Sequence, residues 1–189
     1  MTDARIVVAT PDEYPLIERI ARRTWPSTFG SILSPAQIDY MLERMYSPGA
    51  LAEQTANGHV FLLLLARYAH RGVTLPAAAP YAESRSTRYG PVGYLSYQLD
   101  YAPGVAKIHK LYLLPDNQGR GFGRQLLHRV ERIATNAGQH QLRLDVNYRN
   151  PAVAFYERLG FRKIDRHDTD IGNGYLMEDW RMGKELAVD

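Results

Sequence analysis

Seven consecutive residues, Gln118-Gly119-Arg120-Gly121-Phe122-Gly123-Arg124, are spaced to hold a phosphate group. Three glycines in five positions follow an apolar run, Lys107 to Leu114, and open a helical pattern running from Gly123 toward Ala137. Glycine lets backbone N–H groups come close to a bound group. A helix start adds N–H groups without intrahelical partners and the positive end of the dipole. Together these favour an anion, and Arg120 and Arg124 add charge. A tight turn into a helix uses the same residues with no ligand at all. Two nucleotide motifs fail outright. A P-loop needs Gly-Lys-Ser/Thr where Phe122-Gly123-Arg124 stands. A dinucleotide fingerprint needs a third glycine, which falls at Arg124 or Leu126 depending on the starting glycine.

The spacing resembles the acyl-CoA signature of the GNAT N-acetyltransferases, Gln/Arg-x-x-Gly-x-Gly/Ala, carried here by Gln118, Gly121 and Gly123. A second block, Asn150 to Phe161, resembles the family's Asn-x-x-Ala-x-x-Phe-Tyr-x-x-x-Gly-Phe. The resemblance covers roughly residues 92 to 182. It implies an α/β fold: a mixed, centrally splayed sheet flanked by helices, with acetyl-CoA entering the splay. It implies acetyl transfer from acetyl-CoA, as donor substrate, directly to a primary amine. Backbone N–H groups of Gln118, Gly119, Arg120, Gly121, Phe122, Gly123 and Arg124 would take the pyrophosphate. The backbone of Leu111, Tyr112 and Leu113 would pair with the pantetheine arm and offer an N–H to the thioester oxygen. Asn150 would reach the pantetheine as well as cap a helix. Trp25 and Phe29 would line the acceptor side, or else fill core between helices.

Acetyl transfer makes two further demands. A primary alkyl amine has a pKa of about 10.4, so holding it neutral at pH 7 costs roughly 4 to 5 kcal/mol. A positioned base contributes roughly 3 to 5 kcal/mol. His109, on the strand before the glycine turn, suits this role by its ordinary pKa near 6.5. Asp145 is the rival, and a water chain or a merely structural histidine are the alternatives. Strand alternation puts Lys107, His109 and Leu111 on one face and Ile108, Lys110 and Tyr112 on the other. The departing thiolate needs a proton. By resemblance this falls to Tyr156, which would otherwise be a packing residue beside Phe155.

Composition narrows the field. The chain has 189 residues, enough for one domain with a sizeable core. Its net charge of +3 is spread out, against a nucleic-acid stripe. There is no cysteine, hence no disulfide, thiolate metal site or acyl-cysteine relay. The six histidines show no metal-ligand spacing, so no metal is expected. No apolar run is long enough for a membrane span, and the N-terminus lacks a signal-peptide core, so a cytoplasmic protein is expected.

The elements that must position these residues read in order. Ala4 to Ala9 is a strand. Thr10-Pro11-Asp12-Glu13 starts a helix that Trp25-Pro26 ends. Ser34-Pro35 starts a second, with Ile38, Met41, Leu42 and Met45 on one face. His59 to Ala66 and Pro91 to Leu99 are strands, and an inserted loop at about 68–90 interrupts the single domain of residues 1–189. A strand from Val105 to Leu114, a helix from Gly123 to Ala137, a strand from Gln141 to Asn147 and a helix from Pro151 to Leu159 follow. Two final strands, Phe161 to Ile171 and Tyr175 to Leu186, turn at Ile171-Gly172-Asn173-Gly174. The acids of this tail resemble the terminal hairpin of bacterial spermidine/spermine-type acetyltransferases, which makes a polyamine acceptor an expectation. A protein N-terminal or lysine amine is the alternative within the class. A CoA-binding regulatory module without chemistry and a nicotinamide oxidoreductase are the alternatives outside it. A homodimer is compatible with the sequence, which does not specify one.

Overall fold

The structure, a computed structural model, describes residues 4–67 and 89–187. The loop expected at about 68–90 lies almost wholly outside the described residues. Seven strands form one sheet in the order β1-β2-β3-β4-β5-β7-β6. They are β1 (Ala4–Val8), β2 (Val60–Arg67), β3 (Tyr89–Ala102), β4 (Val105–Leu113), β5 (Gln141–Asn147), β6 (Arg162–Gly172) and β7 (Tyr175–Glu185). The helices are α1 (Tyr14–Phe29), α2 (Pro35–Tyr46), α3 (Pro48–Ala56), α4 (Phe122–Asn136) and α5 (Ala152–Arg158). All strand pairs are antiparallel except β4 and β5, which run parallel because α4 carries the chain back between them.

The sheet has a core on each face. Leu126, Leu127 and Val130 of α4 and Tyr156 of α5 pack with Leu62, Leu64, Leu95, Ile108 and Leu144 on one face. Leu16, Ile17 and Trp25 of α1, with Met41 and Leu42 of α2, pack with Phe61, Leu63, Leu65 and Tyr94 on the other. This explains why β2 reads as a continuous apolar run: it is covered on both sides. Each fully buried leucine there contributes about 2 kcal/mol.

Three local expectations change. Helix α1 does not stop at Trp25-Pro26 but runs on to Phe29, with Pro26 inside it. Interior proline costs about 3 kcal/mol through its missing N–H. Trp25 and Phe29, one turn apart with ring centroids 4.8 Å from each other, are both buried and hold the last turn against that cost. Its start is a 3-10 turn, Pro11–Glu13, where the Thr10 N–H donates to Glu13 Oε2 at 2.6 Å. Helix α3 has no counterpart in the sequence reading, because only Leu51 of it is buried and no apolar periodicity announces it.

The third change is in β4. Ser96 of β3 lies opposite Lys110 and Tyr97 opposite Ile108, so His109 is an extra residue in β4. This bulge breaks the alternation expected from the sequence. Beyond it, Leu111 and Leu113 join Ile108 on the α4 face, while Tyr112 joins the α1 face. Lys110, which contacts the rings of Tyr46 and Phe61, is on the α1 face too.

Candidate active site

The glycine turn lies between β4 and α4. Gly119 and Gly121 have φ of +72° and +80°, conformations that side chains beyond glycine adopt at a cost. A Cβ at either would meet nothing within 4 Å, so their outer surface is open to a ligand. The first bond of the α4 ladder runs from Gln125 N–H to Gly121 C=O, which leaves the amides of Phe122, Gly123 and Arg124 free of it. Gln118 Nε2 donates to the Leu113 carbonyl at 3.2 Å and ties the turn to the end of β4. Arg120 and Arg124 are exposed beside it. A Cβ on Gly123 would come within 3.0 Å of Phe155 Cζ, so the third glycine also makes room for α5.

Strands β4 and β5 pair only from Val105 opposite Gln141 to Ile108 opposite Leu144. Past that point β4 keeps β3 on one side, with Leu111, Tyr112 and Leu113 opposite Leu95, Tyr94 and Gly93. Among the described residues, its other edge has no strand partner there. Backbone N–H and C=O groups at an unpaired edge are a template for an extended chain. The splay ends at the glycine turn, so a ligand with an amide-bearing arm and a phosphate fits both parts.

Tyr112 is where the two faces of the splay meet. Burial raises its phenol well above 10, and Tyr46, Tyr156 and Asp179 raise it further. Trp25 and Phe29 pack on the Tyr112 ring with centroids at 5.9 and 6.3 Å. Trp25 is 1% exposed, so it has no surface left for an acceptor and supports Tyr112 from behind. Phe29, at 9%, stands nearer the rim. Tyr156, at 8%, is held between Phe155 and Phe161 with centroids at 5.3 and 5.8 Å. Burial pushes its pKa up, so its proton is held more tightly than in a free phenol.

The α1 face of the splay carries the titratable groups. His109 stacks on His59 at 3.8 Å, meets the Tyr101 ring edge-on at 5.9 Å and contacts Gln98 Oε1 at 3.2 Å. Burial, then His59, Lys107 and Lys110, push it down to about 2. It is therefore a far weaker base than its ordinary pKa suggests. Asp145 is engaged by Lys107 at 2.7 Å, with His167 and Arg181 farther off at 3.9 and 3.8 Å. Lys110 is buried, bonded to Gln54 Oε1, and pushed down to about 8 by burial. Asp179 of β7 is 5% exposed and its side chain makes no hydrogen bond or ion pair with any described residue. Burial, then Asp145, push its carboxyl up to about 6, against the pull of His167 and Lys107.

Residues 17–161 match the model of the acetyltransferase (GNAT) family. The chain belongs to the GNAT acetyltransferase family. Membership carries N-acetyltransferase activity with acetyl-CoA as the acetyl donor. The spermidine N(1)-acetyltransferase of Thermoplasma acidophilum is 28% identical over 164 residues, 86% of this chain and 88% of that protein. An uncharacterised N-acetyltransferase of Methanocaldococcus jannaschii is 33% identical over 79 residues, 39% of this chain and 35% of that protein. In fold, the chain is similar to a PaiA N-acetyltransferase of Thermoplasma acidophilum solved with coenzyme A. The TM-score is 0.71 at 21% identity, over 97% of this chain and 99% of that one.

Against the GNAT pattern, the glycine turn adjoins the end of the β4 edge, and Tyr156 packs on the α4 face of the sheet. Trp25 moves behind Tyr112. His109 sits on the other face from Leu111, against the expected alternation. Asn150 is also displaced. Counted back from Phe155-Tyr156, the family's asparagine falls at position 149, where this chain has arginine. Asn150 Oδ1 instead accepts from the Ala152 N–H at 2.9 Å in the turn before α5, which starts one residue later than expected with Pro151 at its N-cap. Asp179 was not singled out by sequence. The available signal was its position in β7, two residues from Met177 and Arg181 on a face that is partly apolar. Among the described residues, no cluster of three or more His, Asp or Glu side chains could hold a metal. Among them, no helix is long and apolar enough to cross a membrane.

Proposed function

We propose that this GNAT protein transfers acetyl from acetyl-CoA directly to the primary amine of a small molecule, with a polyamine as the acceptor class. The observation that carries the reading is the β4–β5 splay, open along Leu111, Tyr112 and Leu113 and closed at one end by the glycine turn. The free amides of Phe122, Gly123 and Arg124, with Arg120, hold the pyrophosphate. The β4 edge orders the pantetheine arm and offers an N–H to the thioester oxygen, where negative charge develops. Tyr156 faces the leaving sulfur. A thiol has a pKa of about 8.5, so a phenol held above 10 stabilises the departing thiolate by a hydrogen bond without handing over its proton outright. Trp25 and Phe29 fix Tyr112 at the acceptor side. The polyamine reading draws on the named relative at 28% identity and on the acids of the β6–β7 hairpin.

The test is a free-thiol release assay with acetyl-CoA against polyamines, aminoglycosides, amino acids and peptides. Thiol release with spermidine or spermine, and with few other amines, is the expected result. Release only with peptides would replace the small-amine reading with a protein acceptor.

A further inference from the structure

We infer that Asp179 is the group that takes the proton from the incoming amine, a role that rests on the acetyltransferase reading above. Asp179 lies on the face of β7 that looks toward α1, beside Asn147 of β5 and His167 of β6. It acts electrostatically on Tyr112 of β4, across the splay, and Tyr156 acts on the same phenol. Asn147, opposite Asp179, lies three residues past Leu144, where β4 and β5 part, so Asp179 stands on the β5–β7 side of the splay.

Burial without a partner is the second observation. Aspartate is seldom buried unless paired, and a carboxylate held largely away from water without a partner is costly. At 5% exposed, Asp179 has no hydrogen bond or ion pair among the described residues. An ammonium that arrives and departs is a partner of the right chemistry. The rivals on the same face are engaged. Asp145 holds Lys107 at 2.7 Å, and His109 is stacked on His59. The charged or titratable groups facing Asp179 are Tyr112 and Lys107 from β4, Asp145 from β5 and His167 and Asp168 from β6. On its own strand, Arg181 is paired with Asp165 at 2.9 Å.

The proton balance is as follows. Asp179 takes one proton from the ammonium and exposes the nitrogen lone pair. The nitrogen forms a bond to the acetyl carbon, the carbon–sulfur bond breaks, and CoA leaves as a thiolate beside Tyr156. The nitrogen loses its second proton and the thiolate gains one from solvent. Asp179 then returns its proton to solvent. A carboxyl raised from 3.8 to about 6 is a better base than an ordinary one and is still mostly ionised at pH 7.

The experiment follows kcat/KM between pH 5 and 9 for wild type, Asp179→Asn and Asp179→Glu. It uses a primary alkyl amine accepted by wild type and a weakly basic aryl amine that is already neutral. With the alkyl amine, wild-type kcat/KM should fall below about pH 6. Asp179→Asn should lose roughly 10²-fold at pH 7 and lose that limb, with acetyl-CoA affinity unchanged. Asp179→Glu should recover part of the rate, and the aryl amine should be nearly indifferent to the substitution. An asparagine variant that keeps both rate and limb overturns the proposal. Should that variant not fold, the two amines on wild type decide: a limb near pH 6 for the alkyl amine alone supports it. The same limb for both amines, or for neither, overturns it. Absence of turnover on any amine overturns the acetyltransferase reading and this one with it. Turnover that ignores Asp179 overturns this one alone.

Discussion

Tyr156 and His109 show how burial changes a side chain's chemistry without changing its identity. Burial holds the Tyr156 proton, so the hydroxyl acts as a hydrogen-bond donor to developing negative charge. Tyr156→Phe keeps the packing against Phe155 and Phe161 and removes only that donor. We expect kcat to fall by roughly 10²-fold with acetyl-CoA affinity nearly unchanged, because the lost interaction belongs to the transition state. Steady-state kinetics and a binding titration check this, and loss of affinity instead would make Tyr156 a cofactor contact. His109 shows the opposite sign. His59 and His109 fall to about 4 and about 2 in the folded chain, from an ordinary 6.5. Between 6.5 and those values the unfolded chain binds more protons, so stability falls as pH drops through that window. Urea titrations at pH 7 and pH 4.5 should show this loss. His59→Gln with His109→Gln should reduce it, and an equal loss in the double variant would place the acid sensitivity elsewhere.

The start of α4 separates two uses of glycine within three residues. Gly121 has φ of +80° and open space outside it, whereas Gly123 is packed under Phe155. Gly121→Val forces a β-branched residue into a left-handed conformation at the phosphate turn. It should abolish measurable acetyl-CoA binding while the melting temperature falls only modestly. Gly123→Val should instead push α5 off α4 and destabilise the whole chain by roughly 1 to 3 kcal/mol, as overpacking does. Thermal melts and calorimetric titrations on the pair check both. Tight acetyl-CoA binding by folded Gly121→Val would displace the cofactor site from this turn.

Across the whole molecule, the splay is a gap in the sheet between the α1–α3 layer and the α4–α5 layer. Only Val105 to Ile108 join β4 to β5. A ligand that bonds the free β4 edge and the α4 amides ties these parts together in the folded state alone. At a concentration 100 times its Kd, such a ligand stabilises by about 2.7 kcal/mol. For a chain of this size that is a rise in Tm of about 5 to 10 °C. Acetyl-CoA should produce it and NADH should not. Equal shifts from both would point to nonspecific anion binding.

The order of the strands and of every helix except α3, the glycine turn and the Phe155-Tyr156 pair were legible in the sequence, because they rest on local rules. Glycine spacing, capping residues and apolar periodicity act within a few residues of chain. What the sequence left out depends on partners far along it. The bulge at His109 exists only in the register of β4 against β3, and it moved Leu111 and Tyr112 to the faces opposite those expected. Pro26 stays helical because Trp25 and Phe29 are buried against Tyr112, more than 80 residues away. The basicity of His109 is lowered by burial first and then by His59, on which it stacks. Asp179 became notable only when β7 set it beside β5 at the splay, buried and without a hydrogen bond or ion pair among the described residues. Residue types and spacing decided which family of site this is. Desolvation and long-range pairing, which no local pattern encodes, decided which of its side chains are free to act.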